Sequence, residues 1–148
     1  MQEKRLIKRL TEYWSQLKGE AAPYPQFEKL NSASLSDVWE QCILLEVDKK
    51  SQNNATLYNY RHMGQKITDV YGDDLTGQHV NTHMHNFPGW QVLKSVDDVI
   101  STPQIQVSLG SFMNSKDQLV KYRACVMPFG AHDAVTHALV GLSWKTFQ

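Results

Sequence analysis

The chain has 148 residues, 41% of them hydrophobic and 20% charged, an ordinary globular balance for one domain that excludes global disorder and any need for a metal or disulfide to complete a core. Fifteen Lys and Arg face fifteen Asp and Glu, for a net charge of zero with neutral histidines, which excludes the basic footprint of a nucleic-acid binder or of a polybasic membrane-surface protein. No apolar run reaches the roughly 20 residues that cross a bilayer, the opening MQEKRLIKRLTEYW has no continuous apolar stretch of the secretory kind, and Cys42 and Cys125 lie inside separate apolar runs, so a cytoplasmic chain with reduced thiols and no membrane insertion is expected.

Leu6, Leu10, Tyr13 and Leu17 are spaced four, three and four apart, which predicts an amphipathic helix over 3–18 ending at Gly19. Two prolines in AAPYP (21–25) demand a turn or extended linker. SASLSDVWEQ (32–41) fits a short helix with Ser34 as its N-cap. CILLEV (42–47) is a short apolar run that reads as a buried strand, and DKKSQNNAT (48–56) as a loop. LYNYRHM (57–63) reads as a second strand, with Tyr58, Tyr60 and His62 sharing one face by period two. QKITDVYG (65–72) gives one or two helical turns, DDLTGQHV (73–80) carries turn chemistry, HMHNFPG (83–89) is irregular, and GWQVLKSVDDVIS (89–101) has helical spacing. Three strands follow, at 105–112, 118–129 and 134–144, joined by hairpin-sized links.

This order predicts an α+β fold: a five-stranded antiparallel sheet with helices on one face, preceded by an N-terminal amphipathic helix. It is also the order of a PAS domain. Tyr13-Trp14 with Leu17 and Gly19, ILLEV at 43–47, YNYRHMG at 58–64, YGDDLTG at 71–77, VMPFG at 126–130 and VGLSW at 140–144 resemble the bacterial single-domain PAS proteins of the PAS_5 family. On that resemblance, residues 1–24 form the helix and linker and residues 25–148 the PAS domain. The resemblance implies a sensory or regulatory module rather than an enzyme. It would bind a small ligand, a signalling protein such as a sensor kinase, or both, and have no output domain of its own. Tyr60, His62, Ile67, Trp90, Tyr122 and Ala124 would line a pocket between the sheet and the helical middle. PAS domains hold haem, flavin, small metabolites or nothing there, and the resemblance singles out no cofactor. A structural interaction domain with a filled core is the alternative. Helices that pair PAS domains also imply a homodimer, here through Leu6, Leu10, Tyr13 and Leu17, unless that seam packs on the chain's own sheet.

The polar residues offer little chemistry. His79, His83 and His85 lie within seven residues. Such imidazoles can bind zinc, copper or nickel, but no Cys is near and the spacing matches no zinc motif, so no stoichiometric metal is expected. His62 either contacts a ligand, serves a haem iron as axial donor, or is satisfied by a Tyr or the backbone. Thiols in apolar strands are inert, and no phosphate loop, dinucleotide fingerprint or nucleophile elbow occurs. No catalytic residue is assigned.

Overall fold

A computed structural model describes residues 2–20, 22–48, 57–81 and 90–148, except for the side chains of 2–4, 57, 80, 81 and 90. Helix α1, Gln2–Lys18, ends where Gly19 takes a left-handed φ of 71°. Three short 3₁₀ turns at 27–29, 32–35 and 39–41 lead into strand β1, Cys42–Val47. Then come β2, Leu57–Met63; α2, Gln65–Tyr71; β3, His79–Asn81; α3, Trp90–Ser101; β4, Gln106–Met113; β5, Leu119–Gly130; and β6, Val135–Phe147. The strands make one antiparallel sheet in the order β3-β2-β1-β6-β5-β4. The five expected strands are all present, and the three-residue β3 joins them at an edge beside β2. Its brevity hides it in sequence, because three residues of pairing leave no alternation to read.

The helix expected over 32–41 is two 3₁₀ turns instead. Asn31, not Ser34, caps the first by accepting the Ala33 amide (3.0 Å), and Val38, at φ −127° and ψ −4°, breaks the run before the second. Ser and Asp bond nearby backbone in preference to propagating a helix, and this segment holds three Ser and one Asp.

Strand alternation divides the apolar side chains between two faces. On the inner face Ile43, Leu45, Tyr58, Tyr60, Tyr122, Ala124, Val126, Ala138 and Val140 pack with Ile67 of α2 and with Val92, Leu93, Val96 and Val99 of α3. On the outer face Cys42, Leu44, Cys125, Met127, Phe129 and Leu139 pack with Leu6, Leu10, Tyr13 and Trp14 of α1 and with Leu35. Helices therefore cover both faces, the inner by α2 and α3 and the outer by α1.

This corrects the expected dimer seam. Leu6, Leu10 and Tyr13 are buried in the chain's own core, and half-buried Leu17 packs beside them. The helix expected to stand apart as residues 1–24 is bound to the sheet. Polar ties fix it as well: the Trp14 indole N–H donates to the Pro128 carbonyl (2.8 Å), the Tyr13 hydroxyl accepts the Asn31 amide (3.0 Å), and Arg9 pairs with Asp37 (3.1 Å).

Candidate functional site

The inner core is the first candidate. β2 and β5 supply its aromatic side chains. Tyr58, Tyr60, Ile67, Tyr122 and Ala124 all lie in it and all are buried, so four of the six residues expected to share a pocket are brought together. The side chain of Trp90 lies outside the described residues, although the residue opens α3. The polar groups here are hydroxyls. Tyr58 donates to the Asp97 carboxylate on α3. The Tyr122 O–H is buried and finds no acceptor among the described residues, and neither does the Thr68 hydroxyl on α2. Burial pushes the Tyr122 hydroxyl up to about 12, against the pull of the Val92 backbone amide at the start of α3. Burial, and then the Asp97 hydrogen bond, raise Tyr58 as well, so these phenols stay neutral donors at any physiological pH. Tyr122 continues an aromatic chain, with Phe112 tilted against it at 6.2 Å and Tyr71 edge-on to Phe112 at 5.7 Å. A Cβ on Gly110 would lie 2.3 Å from the Tyr122 oxygen, so a glycine under that hydroxyl is required by space alone.

His62 is not in this core. The pairing of β1 with β2 slips between Leu44 and Leu45: Leu45 faces Tyr60 while Leu44 faces His62, which leaves Arg61 as an extra residue, a β-bulge. One inserted residue reverses the phase of everything after it. Met63 therefore enters the inner core in place of His62. His62 turns to the outer face, stacks on Trp39 with centroids 4.3 Å apart, and bonds the Trp39 carbonyl through Nε2 at 3.0 Å. The imidazole is satisfied by backbone, and neither the ligand contact nor the haem role fits its position.

A second candidate was not visible in the sequence. An open cleft of about 930 Å³ lies on the outer face at the end of β1, β2 and β6, lined by Glu46, Asn59, Arg61, His79, Thr136 and His137 among others. Glu46 and His137 are cross-strand partners, as are Glu46 and Asn59. Arg61, two residues beyond Asn59 and on its face, reaches Glu46, whose Oε1 accepts from Nε at 3.0 Å, and the His137 Nε2 lies 3.5 Å from the other carboxylate oxygen. His137 also stacks flat on Phe27, centroids 3.5 Å apart. Burial pushes the Glu46 carboxyl up, but hydrogen bonds and charge from Arg61, with Asn59 and His137, outweigh it and hold the carboxyl below its usual range. Burial holds His137 below the usual imidazole range despite Glu46. The charges of this cleft thus mostly satisfy one another. Its members come from strands far apart in sequence, and only the strand register could have joined them.

The remaining expected groups are not brought together among the described residues. His83 and His85 lie outside the described residues, and His79 sits 3.8 Å from Asp48 on an exposed edge. Among the described residues no three metal-ligating side chains come together. Cys42 and Cys125 flank Gly141 from the two neighbouring strands, two strand spacings or about 10 Å apart and beyond disulfide reach. Burial pushes each thiol up to about 12, so neither is a nucleophile. No described helix is long and apolar enough to cross a membrane.

Comparison with known proteins agrees with this architecture. The family model described as PAS domain, PAS_5, matches residues 2–143, a span that includes α1 and reaches into β6. No curated protein gives a significant match.

Proposed function

The chain belongs to the PAS_5 family of PAS domains, a class of sensory and regulatory modules, and on that premise we propose that it senses a small polar molecule held between the sheet and helices α2 and α3. The observation that carries this reading is the Tyr122 O–H, on a residue 4% exposed, which finds no acceptor among the described residues. An unsatisfied buried hydroxyl costs about 1–3 kcal/mol, and native cores keep one where something else completes its bonding. A ligand contacting β5 and the first turn of α3 would change how that helix sits, and a signalling protein such as a sensor kinase would read the change.

Native mass spectrometry of the purified chain, combined with Tyr122→Phe, tests the proposal. The expected result is one small molecule retained per chain and lost, or markedly weakened, in the variant. A bare chain whose Tyr122→Phe form gains about 1–3 kcal/mol in urea denaturation would overturn it, because removing an orphan hydroxyl from a filled core has that effect. That outcome would favour the reading as a structural interaction domain with no ligand.

A further inference from the structure

The large apolar side chains exposed among the described residues are Val107 (48%), Leu109 (67%), Met113 (60%) and Phe147 (44%). All four point from the outer face of the sheet. Val107 pairs with Cys125, whose side chain is in the α1 core, and Leu109 and Met113 follow it at even spacing along β4. Phe147 is two and four residues beyond Lys145 and Ser143, which continue from Gly141 on the same face of β6. Helix α1 covers the outer face over Cys125, Gly141 and Leu139 and leaves this remainder bare. Monomers seldom leave their exposed apolar side chains gathered in one patch without a use for it.

The charges on the strip are all of one sign. Lys121, Arg123 and Lys145 project from it, and no carboxylate occurs in 107–113, 119–123 or 143–147. Lys121 and Lys145 are directly opposed across β5 and β6, a like-charge pair that costs stability unless a counter-charge arrives. The Lys121 ammonium lies 5.3 Å from the Phe147 ring centroid, and the buried Nε of Arg123 has no partner among the described residues. In a chain of zero net charge, this is a local cationic excess interleaved with apolar side chains.

We infer that this strip docks an acidic amphipathic helix of a partner protein. Leu109, Met113 and Phe147 would meet its apolar stripe, and Lys121, Arg123 and Lys145 the carboxylates beside that stripe. A second copy meeting face to face would set these cations against their own counterparts, so a symmetric dimer through the strip is disfavoured. A flat anionic bilayer fits poorly, since α1 stands on the same face and lifts the surface beside the strip by a helix diameter, about 10 Å. A rod of that diameter fits the step.

The test uses the full chain and a labelled peptide of about five helical turns, with leucines on one face and glutamates flanking them. Controls are the same peptide with lysine for glutamate, and phosphatidylserine vesicles. The glutamate peptide is expected to bind, to weaken as salt rises, and to shift the amide resonances of 107–113, 119–123 and 143–147. Lys121→Glu with Lys145→Glu should weaken it by about tenfold or more and admit the lysine peptide instead. Lys121→Gln with Lys145→Gln, which leaves no new charge to disturb the fold, should give an intermediate loss. Each of four results would overturn the inference: equal affinity for both peptides, no binding at about millimolar peptide, binding to vesicles but not to the peptide, or self-association of the chain through these strands.

Discussion

Gly141 sits at the centre of the outer core, with Cys42 on one neighbouring strand, Cys125 on the other and Leu10 of α1 directly above. A Cβ there would lie 2.2 Å from a Leu10 methyl, so the missing side chain is the socket that receives the leucine. Gly141→Ala should therefore destabilise the chain by about 1–3 kcal/mol through overpacking, and Leu10→Ala by about 2–5 kcal/mol through the cavity it leaves. Combined, the two should cost clearly less than their sum, because the new methyl occupies part of the space the leucine vacates. Urea denaturation of the four proteins of this cycle checks it, and strict additivity would show that helix and glycine are not in register. At this scale the sequence was readable where alternation held and misleading where it broke. Tyr60, Tyr122 and Ala124 take the inner-face places that period two assigns. His62 does not, because Arg61 is an insertion into the ladder and nothing in LYNYRHM marks it as one.

The elements themselves were legible because each strand and long helix has its own pattern. β1 and β2 occupy the runs the composition marks out, and α1, α2 and α3 begin and end within a residue or so of the punctuation by Gly19, Gly72 and Pro103. What an amphipathic stripe cannot say is which surface it will meet. The seam of α1 suits a partner helix or a sheet equally well, and here the sheet takes it, with the Trp14–Pro128 hydrogen bond and the Tyr13–Asn31 contact fixing the choice. The charge reversal that would dissociate a helical dimer should for that reason unfold this protein. Leu10→Asp with Leu17→Asp is expected to abolish a cooperative thermal transition, since it places an unpaired carboxylate at a fully buried position. Sedimentation that showed a folded monomer arising from a wild-type dimer would contradict the packing. The exposed Arg9–Asp37 pair should matter little by comparison.

For the whole molecule, the titrating groups predict a stability plateau with a shoulder on each side. His137 is held below the usual imidazole range by burial, so the folded chain binds fewer protons than the unfolded one, and stability falls as pH drops below about 6.5. Glu46 and Asp37 are held below the usual carboxylate range, Glu46 by Arg61 against its burial and Asp37 chiefly by its hydrogen bond to Arg9. Their contribution goes at lower pH still, as acid reaches the carboxylates. On the alkaline side the buried thiols resist ionising up to about 12, whereas unfolded thiols ionise from about 8.5, so stability should fall again. Melting temperatures across this range should show the neutral plateau, and His137→Gln should remove the first acid shoulder while leaving the second. A first shoulder unchanged in that variant would place its origin elsewhere.

The order of strands has a consequence for how the protein is made. β1 lies between β2 and β6, so the strand that forms early in synthesis waits for one of its two neighbours until residues 135–147 have been translated. Until then β1 and β2 can form a hairpin, but the apolar edge of CILLEV stays open and α1 has only part of its seat. A nascent chain lacking β6 is thus a sticky, half-built sheet rather than a folded intermediate. Ribosome-bound chains stalled before residue 135 should be protease-sensitive and recruit holding chaperones, and those that present β6 beyond the exit tunnel should become resistant in one step.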